Sequence, residues 1–134
     1  NGEKNIALDR VLLVEHRERI LDLRLELDEA NIPYHLVEST NAAYVLMEQG
    51  AFDRAVVNEL VNAGPRSFNR EEHRIGGQLM QDLTDLGAEV LHLNYGYERM
   101  VDLHFPGSYT LRVDIPLVGD DFKTVFDFIK GDYK

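Results

Sequence analysis

The stretch Val11-Leu12-Leu13-Val14-Glu15-His16-Arg17-Glu18 decides how the rest of the chain is interpreted. Its four apolar residues in succession, bounded by charge, are typical of a strand that is buried on both faces. Strands of this kind belong to parallel sheets whose two faces are covered by helices. The polar residues that follow the strand then lie at its carboxyl end, where such sheets collect their binding and catalytic groups.

Outward from this stretch, strand and helix patterns alternate along the chain. Apolar residues at helical spacing begin with Ile20, Leu23, Leu27 and Ala30, and we expect Leu21 and Leu25 to widen this stripe. Shorter apolar runs predict four further strands, at Tyr34–Val37, Ala55–Val57, Val90–Leu93 and Tyr109–Val113. The alternation predicts a parallel sheet with right-handed crossovers and helices on both faces.

The ends and faces of the later helices can also be predicted. Thr40 or Asn41 is expected to cap a short helix that stops at Gly50, and Asp120 or Asp121 to cap the last helix. The longest helix has Asn69 and Glu72 at capping-box spacing. Its predicted buried face is Ile75, Leu79, Met80, Leu83 and Leu86, and that of the last helix is Phe122, Val125, Phe126 and Ile129.

Two glycines, Gly76-Gly77, fall in the middle of the longest predicted helix. A glycine inside a helix costs about 1 kcal/mol relative to alanine, so the pair requires a reason. A phosphate-binding loop would place its glycines between a strand and a helix. We therefore predict that the pair permits close packing on a neighbouring element.

Composition limits the classes of function. The chain has 134 residues, a formal net charge of −10 and no cysteine, so disulfides, thiolate metal sites and cysteine nucleophiles are excluded. An acidic surface disfavours direct binding to nucleic acid or to an anionic membrane. The charged start does not resemble a signal peptide, so we expect a cytoplasmic protein.

Three blocks of sequence resemble the receiver domain of response regulators from two-component phosphorelay systems. Residues 11–18 resemble its first strand and acidic pair, and Phe52–Asn58 resembles its third strand, which ends in the phosphoacceptor Asp. Leu83–Asn94 resembles its third helix and fourth strand. The resemblance implies a flavodoxin-like, five-stranded parallel sheet of order 2-1-3-4-5. It implies one domain over residues 1–134, of a kind that is also found within longer regulators.

The chain departs from the receiver pattern at the positions that carry phosphoryl chemistry. An active receiver holds Mg²⁺ between its acidic pair and the Asp that attacks a phosphohistidine. Here the acceptor position is Asn58, and only Glu15 remains of the acidic pair because the second position is His16. Asn94 replaces the switch hydroxyl and Ile115 the invariant lysine. We therefore predict a degenerate phosphoacceptor pocket with no catalytic residue, no cofactor and at most a weak metal site at Glu15.

The resemblance then implies a non-catalytic signal-transduction module, a pseudo-receiver that acts through protein contacts or dimerisation. In the family, the partner face is built from the fourth helix, the fifth strand and the fifth helix. Those correspond here to Tyr97–Phe105, Tyr109–Val113 and Phe122–Lys130. We expect a protein partner, an attached effector domain or a second copy to contact this face, through Tyr97, Tyr109, Leu111, Val125 and Ile129.

Two alternatives remain open from the sequence. A flavodoxin-like small-molecule-binding domain or enzyme could use the same strand ends, with His16 as an acid or base and Val61–Phe68 as a lid. An active receiver could instead accept phosphate on Glu15 or Glu59. The five histidines have no local metal-ligand spacing, and we interpret most of them as structural.

Overall fold

The computed structural model describes residues 10–62, 70–94, 108–112 and 117–131. Its strands are β1 (Val11–Val14), β2 (His35–Val37), β3 (Arg54–Asn58), β4 (Glu89–Asn94) and β5 (Ser108–Arg112). The described helices are α1 (Leu21–Glu29), α2 (Thr40–Met47), α3 (Arg70–Asp85) and α4 (Gly119–Lys130). A single 3-10 turn, Arg17–Ile20, leads from β1 into α1. No helix in these ranges is both long and apolar enough to cross a bilayer.

The strands form one parallel sheet, and the predicted α/β architecture is confirmed. The first four strands lie in the predicted order, β2-β1-β3-β4. β5 joins at the far edge, where it pairs in parallel with β4 through contacts such as Leu93 with Leu111. This topology is consistent with a flavodoxin-like fold. It places the carboxyl ends of β1, β3 and β4 side by side.

Helices cover both faces of the sheet, which explains why the strands are almost continuously apolar. On one face, Leu13, Val56 and Leu91 pack with residues of α1 and α4. On the other, Leu12 and Val57 pack with residues of α2 and α3. Neighbouring residues of the central strands β1 and β3 therefore enter two separate cores, one on each face of the sheet.

Several residues predicted to be buried are not. Leu21 and Leu25 are 53% and 54% exposed, because α1 buries only the stripe that contains Leu23 and Leu27. Leu86 is 54% exposed because it follows the last residue of α3, beyond the part of the helix that covers the sheet. Three further residues are only half-buried: Ile75 of α3, and Phe122 and Phe126 of α4. In α4 the deeply buried aromatic is instead Phe128.

Two helix caps also differ from the prediction. Ser39, rather than Thr40 or Asn41, caps α2, because its hydroxyl accepts a hydrogen bond from the backbone N–H three residues later, at 3.1 Å. α4 begins at Gly119, so Asp120 and Asp121 lie inside its first turn and make no cap. Their charges still favour the positive end of the helix dipole. The expected capping residue of α3, Asn69, lies outside the described residues.

The packing prediction for the glycine pair is confirmed at Gly76. A Cβ atom at this position would lie 2.0 Å from the carbonyl oxygen of Glu59. No side chain fits at that distance, so glycine allows α3 to approach the chain directly after β3. This contact fixes the backbone beside the carboxyl end of β3.

Candidate functional site

Three buried polar residues lie at the end of the sheet where the degenerate pocket was predicted. Glu15 follows β1 directly, while Asn58 and Asn94 are the last residues of β3 and β4. All three are buried, at 1%, 2% and 2% exposure. Ile115, the fourth predicted replacement, lies outside the described residues.

Glu15 and Asn58 are in direct contact. The Asn58 Nδ2 donates to Oε1 of Glu15 over 3.0 Å. The Asn58 Oδ1 accepts from the backbone N–H of Leu60, also at 3.0 Å. These two partners fix the orientation of the amide, because only its nitrogen can donate to a carboxylate. An amide therefore suits this position better than a second carboxylate would.

The charge of Glu15 is compensated from within the chain. Arg19 Nη1 lies 3.4 Å from Oε1 of Glu15, and the two side chains are only 8% and 1% exposed. The same oxygen accepts the backbone N–H of His16 at 2.7 Å. Arg19 reaches back because the 3-10 turn places it one turn after Glu15. The four-residue spacing between Glu15 and Arg19 is the sequence signal for this contact, which was not among the predictions.

The His16 side chain contacts the neighbouring strand end. Its Nδ1 lies 3.7 Å from Oε1 of Glu38, the residue that follows β2. Arg17 binds the same carboxylate through its Nε at 2.9 Å and its backbone N–H at 3.3 Å. These hydrogen bonds hold the pKa of Glu38 below its ordinary value. His16 and Arg17 thus form a polar cluster with Glu38 at the partly exposed rim.

A second buried pair lies next to the pocket. Nε2 of His92 is 2.6 Å from Oε1 of Glu59, and both side chains are fully buried. His92 alternates along β4 with Leu91 and Leu93, so it projects towards the α3 face. An acid buried in this way is closed to a phosphodonor, which argues against Glu59 as a phosphate acceptor. This pair was not predicted, because Glu59 and His92 are 33 residues apart and have no local spacing that links them.

The donor set does not fit the Mg²⁺ ion that an active receiver holds. A hard cation needs several oxygen ligands, usually with more than one carboxylate. The described part of the pocket offers one carboxylate, that of Glu15, whose Oε1 already faces a guanidinium, and the amides of Asn94 and Asn58, the latter with its oxygen bound to Leu60. Among the described residues there is no group of three or more His, Cys, Asp or Glu that could hold a metal.

The predicted partner face requires a correction at α4. Val125 and Ile129 are 0% and 2% exposed and belong to the core, because the inner face of α4 packs on the sheet. Tyr109 of β5 is 43% exposed and makes an edge contact with the ring of Phe128. Leu111 lies in β5 by its backbone pairing. Tyr97 lies outside the described residues.

Comparison with known proteins supports the fold alone. No protein-family model and no curated protein matches the sequence. The chain is similar to the solution structure of SdrG from Sphingomonas melonis Fr1, with a TM-score of 0.56 and 16% sequence identity. The match covers 92% of this chain and 97% of that one. Because the identity is low, the match shows only that the two proteins share an architecture over nearly their whole lengths.

Proposed function

We propose that this chain is a receiver-type signal-transduction domain that does not accept phosphate and acts through protein contacts. The observation that carries the proposal is the contact between Asn58 and Glu15 at the carboxyl end of the sheet. In a receiver of this topology, the last residue of the third strand is the phosphoacceptor. Here that residue is an amide that donates to the remaining acid.

The chemistry of this pocket is unfavourable for phosphoryl transfer. An acceptor must offer a nucleophilic oxygen to an anionic phosphorus, and a cation must offset the charge that both bring. The Asn58 amide is a very poor nucleophile, and its oxygen already accepts from Leu60. The Arg19 guanidinium pairs with Glu15 inside the chain.

The same contacts compensate the charge of the pocket without a bound metal ion. An active receiver gathers like charges that repel each other until a metal binds. In this chain the amide and the guanidinium satisfy the Glu15 carboxylate internally. A domain without that charge chemistry must be fixed in one state or be biased by a partner. We therefore assign its regulation to protein binding.

The partners that we propose are an effector domain, another signalling protein or a second copy of the domain in the cytoplasm. The net charge of −10 is unfavourable for direct binding to nucleic acid. Tyr109 is an exposed aromatic residue of the predicted face, at 43% exposure. Sedimentation of the wild type and of Tyr109→Ala tests dimerisation through β5, and a strictly monomeric wild type at millimolar concentration would refute it.

The deciding experiment is intact mass spectrometry after incubation with Mg²⁺ and acetyl phosphate. We expect no phosphoryl adduct on the wild type, while an active receiver treated in parallel gains one. A stoichiometric adduct on the wild type would refute the proposal, and peptide mapping would then locate the acceptor. The small-molecule alternative stays a prediction, which a thermal-shift screen against nucleotides and phosphorylated metabolites tests.

A further inference from the structure

A groove lies between the carboxyl ends of α2 and α3, away from the Asn58 pocket. Helices that follow the strands of a parallel sheet run back along it, so they end at the opposite edge from the strands' carboxyl ends. The groove encloses about 360 Å³ and is lined by Tyr44, Met47, Glu48, Asp82, Asp85 and Leu86. A ligand bound in this groove would therefore not contact the Asn58 pocket, on which the function proposed above rests.

The groove offers apolar surface to a ligand. Leu86 is 54% exposed, and Met47 and Tyr44 are half-buried. The Tyr44 hydroxyl donates to Oδ2 of Asp82 at 2.5 Å. Burial and the bond to Asp82 raise the pKa of Tyr44 well above its ordinary value, so the hydroxyl remains a donor. This bond anchors the Asp82 carboxylate and joins the two helices across the groove.

The rim of the groove carries uncompensated negative charge. Within the described ranges, no Lys, Arg or His side chain forms an ion pair with Glu48, Asp82 or Asp85. The side-chain hydrogen bonds to the two aspartates come from neutral groups, Tyr44, Gln78 and Gln81. Elsewhere in the described chain, acids such as Glu15, Glu38 and Asp127 are paired with basic side chains.

The helix dipoles add to this charge. Both α2 and α3 end at the groove, and neither has a basic residue in its last turn. α4, by contrast, ends with Lys130. A helix carboxyl end has a partial negative charge of about half an electron, which cations near it offset. Two such ends and three carboxylates therefore face one half-apolar groove without a resident cation among the described residues.

We propose that this groove docks a basic, amphipathic segment of a partner protein. A lysine or arginine of that segment lies between Glu48 and Asp85, and an adjacent apolar residue covers Met47 and Leu86. The match in charge selects this occupant. A second copy of the chain, with its own charge of −10, is the wrong partner for an acidic groove.

The first test uses a labelled amphipathic peptide of about twelve leucine and lysine residues, which is the helix-in-groove type of ligand. Fluorescence anisotropy should show saturable binding by the wild-type chain that weakens as salt is added. The same peptide with glutamate in place of lysine should not bind. Absence of saturable binding up to millimolar protein would overturn the proposal. Equal affinity for free arginine would overturn it too, since it would indicate a small-cation site.

Matched variants then locate the binding. Glu48→Gln with Asp85→Asn removes two exposed charges from the rim and leaves the Tyr44–Asp82 bond intact, and we expect about tenfold weaker binding. Glu26→Gln with Asp28→Asn makes the same chemical change on the exposed side of α1, and affinity should stay within about twofold. Leu86→Ser, which keeps every charge, should also weaken binding. Equal losses in the groove and control variants would show non-specific attraction and refute the assignment. Thermal unfolding of each variant verifies that it is folded.

Discussion

Replacing Asn58 by Asp tests the pocket geometry directly, because the two side chains have nearly the same volume. The change turns the donor that faces Glu15 into a second carboxylate. The contact spans 3.0 Å, and both side chains are at least 98% buried. Two carboxylates would then face each other where an amide now donates a hydrogen bond to a carboxylate.

The cost can be worked from the distance. Two unit charges 3.0 Å apart repel by about 5.5 kcal/mol at an effective dielectric constant of about 20. Arg19 offsets part of this repulsion, while the desolvation of a second buried charge adds to it. Protonating an aspartate of pKa about 3.9 at pH 7 costs about 4 kcal/mol, which is less than the cost of keeping both carboxylates charged. The pair therefore takes up a proton on folding, and the free energy of unfolding falls by about 4 kcal/mol at pH 7.

Chemical denaturation at two pH values is the assay. The folded variant binds one proton more than its unfolded state, so its stability relative to wild type falls as pH rises, by about 1.4 kcal/mol per pH unit. The cost at pH 5 should therefore be only about 1.5 kcal/mol. Asn58→Ala, which adds no charge, should show a cost that is independent of pH. An equal cost of Asn58→Asp at both pH values would show that its carboxylate does not face Glu15 in a buried site.

Further predictions concern the backbone contact, the second buried pair and the rim. Gly76→Ala should lower the free energy of unfolding by at least about 2 kcal/mol, measured by denaturation, because the new Cβ would collide with the Glu59 carbonyl. This loss is expected even though alanine favours a helix by about 1 kcal/mol over glycine. A more stable variant would contradict the close approach. His92→Leu should cost about 3–5 kcal/mol because it removes the imidazole that lies against the buried Glu59 carboxylate, and adding Glu59→Met should restore most of this loss; a double variant less stable than His92→Leu would refute this reasoning. Arg17 lowers the pKa of Glu38, so this acid contributes stability above its ordinary pKa of 4.5 that is lost as pH falls through the lowered value. Glu38→Gln should therefore lose less stability on acidification than wild type, and parallel acid-unfolding curves would contradict that.

Much of the fold could be predicted from the sequence because apolar runs report burial on both faces. Val11–Val14 is fully buried, as its composition requires. Errors arose where a leucine stands at helical spacing without a partner surface, as at Leu21 and Leu25. Periodicity locates a helix face only to within a residue or two, and the sheet then decides which residues are covered.

The site was harder to predict because it depends on contacts between elements. The residues at the strand ends could be named from topology, and Glu15 and Asn58 do meet. The four-residue spacing of Glu15 and Arg19 allows their contact, but the 3-10 turn that brings the two side chains together is not visible in the sequence. Glu59 directly follows β3 and His92 lies in β4, and only the register of these two strands brings the pair together.

The strand order has a consequence for how this chain folds. β1 lies inside the sheet, yet its contact with β3 joins residues such as Leu12 and Ala55, more than forty positions apart in the chain. A unit of β1, α1 and β2 can form first, but it leaves the second edge of β1 unpaired until β3 arrives. Parallel pairing of this kind must close long loops before it gains any stabilising contact, and it therefore folds slowly. The interval during which that apolar edge is open is when the nascent domain is most exposed to aggregation.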